Sequence, residues 1–262
     1  DNYQLVMPTG AKYNWISIYA LNPYFELNNN SKEMDRNRLF GKGSLWVTAT
    51  PWLKFEGRVG YDLYHNQFEL KYLYDYDYIN GLYRITNMDN QELNMDALAY
   101  VDHDFGQIDV HAIAGANYYD AQYSYCSIGS TMANGLTVPG LYSLSNVSGS
   151  LESETDHSHI RSNSLYANVQ AGWRHQLFLE GSMRHDWHSA ISKSFFYPSV
   201  NSSWVVTETF SQLKSVYFNY LKLRFNWANI GNSTIAYNTK TCYEAVASTI
   251  SGGNQYSLPS TL

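Results

Sequence analysis

The stretch PWLKFEGRVGYDLY, residues 51–64, decides the fold. From Leu53 onward it alternates without a break. Leu53, Phe55, Gly57, Val59, Tyr61 and Leu63 fall on one side, and Lys54, Glu56, Arg58, Gly60, Asp62 and Tyr64 on the other. A period of two marks a β-strand, because successive side chains point to opposite faces of the sheet. At about 3.3 Å per residue such a strand is long enough to cross a bilayer at a tilt, for which about 9–11 residues suffice. A strand in a soluble sandwich divides apolar from charged in the same way. The choice between water and lipid therefore rests on how often the pattern returns, and at what length.

It returns along most of the chain. Upstream, Leu45, Val47 and Ala49 alternate with Ser44, Trp46, Thr48 and Thr50, and a tight connection at Thr50-Pro51-Trp52 joins this segment to the quoted one. Before it, residues 1–38 are mixed, with a short strand expected at Tyr13–Ala20 and a polar, Asn-rich loop over Asn22–Asp35. Downstream, His65–Asn94 reads as a long insert. Met95, Ala97, Ala99, Val101 and Phe105 then oppose Asp96, Tyr100, Asp102 and Asp104. A turn at Gly106-Gln107 leads to Ile108, Val110, Ala112, Ala114 and Ala116 against Asp109, His111, Gly115 and Asn117, which completes a hairpin.

A second long insert, Asp120–Asn163, is rich in Ser and Gly. Leu165, Ala167, Val169, Ala171 and Trp173 follow, then a turn at Arg174-His175, then Leu177, Leu179, Gly181, Met183 and Trp187. Beyond a connection at Ser189–Ser194 come a less regular strand over Phe196–Thr207, a turn region over Glu208–Tyr217, and Leu221, Leu223, Phe225 and Trp227 against Lys222, Arg224 and Asn226. Residues from Ile230 onward read as a loop. The expected architecture is all-β: about eight meandering antiparallel strands, part of a larger transmembrane β-barrel.

Connection lengths support the lipid reading. The turns at Pro51, Gly106 and His175 are short and fall on one side, while the inserts at 65–94, 120–163, 189–195 and 230–262 fall on the other. Outer-membrane barrels sort their loops in this way, short on the periplasmic side and long outside. In such a wall the Leu, Val, Ala, Phe and Trp row faces lipid, and the charged row lines water.

Composition agrees. The chain has 262 residues, 15% charged and 16% aromatic, with 24 Tyr, 11 Phe and 7 Trp. Such rings favour boundaries where one end is apolar and the other wet, as in the two girdles of a barrel. The mean hydropathy of −0.39 is no objection, since alternating strands average to a weak signal. No run approaches about 18 consecutive apolar residues, so no helical span is expected. No initiator Met, signal peptide or lipidation motif is read. The net charge of −6, without a basic patch, argues against a nucleic-acid partner. Cys126 and Cys242 lie in polar, turn-rich stretches and read as isolated thiols, with a disulfide as the alternative.

No Ser-His-Asp set, nucleophile elbow or phosphate loop is present, and no enzyme activity, cofactor or metal is expected. Tyr72, Tyr74, Tyr76 and Tyr78 are the candidate substrate-binding residues, since aromatic faces stack on sugar rings. Their alternation with Asp and Leu equally suits a strand running beyond the membrane. Asp156-His157-Ser158-His159, with Glu154, has metal-ligand chemistry but reads as a solvated loop. Within Arg184-His185-Asp186-Trp187-His188, alternation puts Arg184 and Asp186 on one face and His185 and Trp187 on the other, so charge pairing and rim aromatics account for it. Lys54, Glu56, Arg58, Glu180, Arg184, Asp186, Lys222 and Arg224 are expected mostly to pair across neighbouring strands, with contact to a plug as the alternative.

Several stretches resemble one family. NPYFELNNN (22–30) followed by DRNRLFGKGSLWVTATPWLKFEGRVGYDLY, LTVPGLYSLSNVSGS (136–150), SLYANVQAGWRHQLFLEGSMRHDW (164–187), FFYPSVNSSWVVTETF (195–210) and LKLRFNWANIGNS (221–233) resemble, in order and spacing, a mid-barrel portion of the SusC/RagA-like TonB-dependent transporters of Bacteroidetes. His185 departs from the Asn or Asp usual before the Asp-Trp pair, and the turn before Leu177 lacks the common Lys-Asp. The resemblance implies that residues 1–262 are one portion of a barrel of about 22 strands, without its plug and amino-terminal domains. It implies an outer-membrane location, uptake of oligosaccharides or peptides, energy through TonB by way of a plug, and a SusD-like surface lipoprotein as partner. The rivals are a passive porin or siderophore receptor, a soluble all-β glycan-binding or hydrolase domain, and a truncated product without activity of its own.

Overall fold

The structure is a computed structural model that describes residues 23–73, 80–131, 133–215, 217–239, 244–246 and 255–257. A short helix α1 (Pro23–Asn29) precedes β1 (Ser31–Thr50), β2 (Leu53–Tyr72), β3 (Leu82–Asp104), β4 (Ile108–Gly129), β5 (Glu152–Trp173), β6 (Leu177–His188) and β7 (Phe195–Val205). One turn of helix, α2 (Val206–Thr209), and a 3₁₀ turn at Ser211–Leu213 lead to β8 (Lys222–Ala228). These eight strands form one sheet in the order β1-β2-β3-β4-β5-β6-β7-β8, an antiparallel meander as the alternation predicts. Within the stretch expected as loop from Ile230, β9 (Glu244–Val246) and β10 (Gln255–Ser257) pair in a separate two-stranded sheet. The strand expected at Tyr13–Ala20 lies outside the described residues.

The strands are longer than the hydrophobic pattern indicates. The loop expected over Asn22–Asp35 is α1 followed by the start of β1. The two inserts are mostly strand: β2 runs to Tyr72 and β3 resumes at Leu82, while β4 runs to Gly129 and β5 starts at Glu152. In these extensions the alternation is short and set among polar residues, as with Phe68, Leu70 and Tyr72 against Gln67, Glu69 and Lys71 on β2. Backbone ladders and cross-strand polar pairs hold them instead. Arg38 pairs with Asp62, and His65 Nδ1 lies 2.6 Å from Asp89.

By its contacts the chain divides into two compact units. A loop unit comprises Asp1–Gly41, Tyr61–Glu92 and Gln122–Ser158, and a wall unit comprises Lys42–Gly60, Leu93–Ala121 and His159–Leu262. The apolar rows predicted from sequence fall almost wholly in the wall unit. There the usual burial rule is inverted. On β2, Phe55 and Val59 are exposed while Glu56, between them and the next charge, is only 5% exposed. On β5 and β8, Leu165 is 53% and Phe225 63% exposed. Apolar side chains left in the open along a regular row form a surface suited to hydrocarbon.

Register in the wall unit follows from this sorting. Leu165 faces His185, Ala167 faces Met183 and Val169 faces Gly181 across β5–β6, and Val200 faces Trp227 across β7–β8. A slip of one residue would exchange the two faces. The three short turns share one end of the unit. Asp102 N–H donates to Trp52 O at 2.9 Å, Arg174 N–H to Gln107 O at 2.9 Å, and Val205 N–H to Gln176 O at 2.7 Å. Trp52, Phe105, Trp173 and Trp204 are exposed at this end. Along β6, Leu177 to Trp187 spans roughly 33 Å of extended chain. At the usual tilt of about 45° that is about 23 Å of bilayer normal, close to the apolar band of a barrel.

The β5–β6 hairpin turns through Arg174 and His175, both left-handed at φ 51° and 56°, with Gln176 N–H donating to Trp173 O at 2.9 Å. Turns with two successive residues at positive φ favour Asn and Gly, because a Cβ resists that conformation. Arg174 is tied down, its Nε donating to Gln107 Oε1 at 2.7 Å. His175→Gly in the full-length protein is therefore expected to raise stability by about 1 kcal/mol, read as a higher heat-denaturation midpoint of the folded band in detergent. An unchanged or lower midpoint contradicts a strained turn.

Candidate functional site

On the charged face of the wall unit the polar groups are pinned to one another. Arg58, on β2, donates to Glu56 at 2.5 Å and to the Tyr100 hydroxyl at 2.7 Å, and that hydroxyl donates to Glu56 at 2.8 Å. Arg184 donates to Asp186 at 2.7 Å and to Ser164 Oγ at 2.8 Å. Glu180 accepts from Asn168 at 2.5 Å. The expected charge pairing is thus present, but Glu56–Arg58 and Arg184–Asp186 pair along one strand. Residues two apart share a face, and the long arginine reaches back to its own strand's carboxylate. The neighbouring strand supplies the neutral partners Tyr100, Ser164 and Asn168. Lys222 lies 5.4 Å from the Phe178 ring, and among the described residues Lys54 and Arg224 make no ion pair. Lys222, Arg224, Glu180, Asn201 and Asn226 line a polar recess of about 400 Å³.

Two glycines make this face possible. A Cβ on Gly115 would come within 2.5 Å of the Tyr166 ring, which lies across the backbone of β4 there. The Tyr166 hydroxyl reaches Asp96 at 3.4 Å, and the Arg184 guanidinium stands 5.6 Å from its ring centre. A Cβ on Gly172 would meet the Asp109 carboxylate at 2.3 Å. The result is a face on which Glu56, Arg58, Glu180, Arg184 and Asp186 all hold hydrogen-bond partners.

His185 and Trp187 stack on the other face at 4.3 Å, as the alternation predicts for this segment. The run with metal-ligand chemistry is strand rather than loop, being part of β5. His159 Nε2 sits 3.1 Å from Asp120, which also accepts from Arg161 at 2.5 Å. Among the described residues no group of three or more His, Cys, Asp or Glu could hold a metal. Cys126 is exposed on β4, and its possible partner Cys242 lies outside the described residues.

Of the candidate substrate-binding tyrosines, Tyr74, Tyr76 and Tyr78 lie outside the described residues. Tyr72 ends β2, with the Lys32 ammonium 5.6 Å from its ring, and it borders a recess of about 460 Å³ together with Glu26, Leu27 and Asn30.

The loop unit contains a site the sequence did not disclose. The connection over residues 130–151 is built around one buried amide. Asn146 accepts from Val138 N–H at 3.0 Å and donates to Val138 O at 2.8 Å and Leu141 O at 2.7 Å. Leu136 is buried, and its N–H donates to Asn80 O at 2.9 Å. Ser130 and Tyr83 exchange backbone and hydroxyl bonds, and Tyr142 Oη donates to Asn29 O at 3.3 Å. Below the loop Tyr83 Oη donates to Glu69 at 2.6 Å, and Lys71 pairs with Glu69 at 2.5 Å and with Glu33 at 3.3 Å. The hydrogen bonds of Lys71 and then Tyr83 hold the Glu69 carboxyl below the usual glutamate range. Burial, then Glu69, pushes the Tyr83 hydroxyl up to about 12. A Ser- and Asn-rich composition marks this stretch as a loop, but nothing in it singles out Asn146 as its centre.

Asn146→Ala leaves two carbonyls and one N–H without their partner. It is expected to cost about 2–3 kcal/mol of local stability, seen as faster amide exchange and faster protease nicking within residues 136–147, with the wall unit unchanged. The Glu69 linkage has a definite sign. A depressed carboxylate contributes stability above its unfolded pKa and loses it as pH falls through the folded value. Amide exchange at Tyr83 and Leu136 should therefore quicken between about pH 5 and pH 3, and Glu69→Gln should abolish that pH step.

No family model matches the chain, and no curated protein matches it. Solved structures do. The RagAB peptide transporter matches with a TM-score of 0.80 at 18% identity, over 97% of this chain and 29% of that one. The RagAB peptide importer in its closed-closed state matches with a TM-score of 0.75 at 17% identity, and in its open-open state with 0.74 at 16%, each over 96% of this chain and 29% of the other. The chain thus spans less than a third of the transporter it matches. The shared fold bears out the resemblance read from the sequence: the architecture is that of a SusC/RagA-like barrel section.

Proposed function

We propose that this chain, which carries the fold of a SusC/RagA-like barrel section, is part of an outer-membrane TonB-dependent transporter that imports oligosaccharides or peptides. The observation that carries this reading is the exposed apolar row of the wall unit, in which Phe55, Val59, Leu165, Val169, Leu223 and Phe225 all stand in the open. A soluble glycan-binding or hydrolase domain has no use for such a surface, because water would be set against a continuous hydrocarbon patch. The charged face supports a conduit. Glu56, Arg58, Arg184 and Asp186 are held by one another and by neutral neighbours, which suits a polar surface along which a solute passes.

In this reading the plug and the remaining strands come from sequence outside these residues. TonB acts through the plug, and a SusD-like lipoprotein covers the long-loop side. Tyr72, Tyr74, Tyr76 and Tyr78 are the proposed aromatic contacts for incoming solute on that side, and no residue is assigned a catalytic role. The likeness to a peptide transporter supports keeping peptides among the candidate cargoes beside oligosaccharides.

The test uses the full-length gene in its own host. The protein is expected in the outer-membrane fraction, extracted only with detergent and accompanied by a lipoprotein. Uptake of labelled oligosaccharides or of labelled peptides should stop when either this gene or TonB is removed. Uptake that survives loss of TonB makes the protein a passive porin, and a product that stays monodisperse without detergent ends the membrane reading.

A further inference from the structure

The polar face of the wall unit ends, on the side away from the short turns, in a cleft of about 420 Å³. Cross-strand register builds it. Arg184 and Asp186 on β6 stand opposite Tyr197 and Phe195 on β7, and His188 stands opposite Ser162 on β5. Directly opposed residues share a face of the sheet, so two aromatic rings are set among charged and polar groups. The rings of Phe195 and Tyr197 lie nearly parallel, 15° apart with centres at 6.0 Å. The segment after β8 closes another side. A Cβ on Gly231 would stand 3.1 Å from the Tyr197 ring, so its backbone lies close against that ring.

The two rings depart from the sorting of the wall. On β6 and β7 the apolar row lies on the opposite face, where Met183, Trp187, Phe196 and Val200 are exposed. Phe195 and Tyr197 put flat apolar surface on the face that elsewhere carries charge. The polar groups beside them have capacity left over. Arg184 occupies one oxygen of Asp186 at 2.7 Å, and among the described residues the other oxygen has no donor. His188 Nδ1 accepts from Ala190 N–H at 3.2 Å. A neutral imidazole whose Nδ1 accepts carries its proton on Nε2, and among the described residues that N–H has no acceptor. The guanidinium and the carboxylate of the cleft neutralise each other, so among the described residues it holds no unpaired full charge.

We propose that this cleft is a subsite for a neutral sugar unit of an incoming oligosaccharide. The C–H face of the sugar lies on the Phe195 and Tyr197 rings, and its hydroxyls are shared between Asp186 and the Nε2–H of His188. The proposal rests on the transporter reading above and deepens it, by assigning a cargo class at the long-loop end of the polar face. A sugar presents an apolar C–H face and a rim of hydroxyls, each both donor and acceptor. The cleft presents the complement: flat apolar rings beside one open acceptor and one open donor. Its volume falls within the range of about 300–1,000 Å³ usual for small-ligand sites. A peptide terminus or a charged side chain would need an opposite charge that is not already paired, and the Arg184–Asp186 pair does not offer one.

The full-length transporter, purified in detergent with any lipoprotein that accompanies it, is tested for binding to a printed panel of neutral oligosaccharides and to a panel of peptides of matched length. The wild type is expected to bind at least one neutral oligosaccharide. Tyr197→Leu keeps the apolar bulk and removes the flat ring. His188→Phe keeps a ring and removes the donor. Each should weaken that binding about tenfold, Tyr197→Trp should retain it, and the heat-stable folded band on gels should persist in all three. Binding indifferent to both Tyr197→Leu and His188→Phe in folded protein overturns the subsite, and is the result expected of a cleft filled by the rest of the barrel. Binding to peptides alone, or to neither panel, overturns the cargo class. Each of these outcomes leaves the membrane reading standing, whereas a product recovered in the soluble fraction defeats the membrane reading itself.

Discussion

The structure depends on one constraint: in hydrocarbon a backbone N–H or C=O has no water to turn to. Each strand of the wall unit must therefore be paired by its neighbour along its whole apolar length. The meander, with each strand beside the next in sequence, meets that demand with the shortest connections. Side chains follow from the backbone. Once the ladder is set, alternate residues face opposite sides of the sheet, and register is held by the penalty for turning a row such as Glu56 and Arg58 to the apolar side.

The polar face obeys a second rule. Charges held close to a low-dielectric wall are stable when their hydrogen bonds are complete, and costly when they are not. Arg58 is shared between Glu56 and Tyr100, and Arg184 between Asp186 and Ser164. Gly115 and Gly172 are the points where this packing could not tolerate a side chain, because Tyr166 and Asp109 lie where a Cβ would stand.

The two units differ in how much of them could be read in advance. In the wall unit, binary patterning located the strands, the short turns and the division of faces, because lipid imposes a strict apolar–polar alternation over about ten residues. The separation of Arg184 and Asp186 from His185 and Trp187 follows from that period alone. In the loop unit the strands run on past the continuous apolar rows. Alternation persists only over short stretches there, such as Phe68, Leu70 and Tyr72 against Gln67, Glu69 and Lys71, so these segments read as inserts. The long connection over residues 130–151 was legible only as a loop. That it is a built object, wound on the Asn146 amide, depends also on contacts between residues far apart in the chain, Leu136 with Asn80, Ser130 with Tyr83 and Tyr142 with Asn29.

What the sequence by itself determined was the β class, the approximate number of strands, the side of each row and the family resemblance. All of these are carried by local period and by the order of short segments. What only the tertiary structure decided was which partners the charges take, how far the strands extend past the apolar band, how the long connection folds, and that a groove walled by the Phe195 and Tyr197 rings lies beside Asp186 and His188. The physical reason is the range of the forces concerned. Alternation is set by the two nearest peptide planes, whereas a hydrogen-bond partner or a groove is set by the register of strands whose residues stand twenty to seventy positions apart, as Tyr166 and Asp96 do.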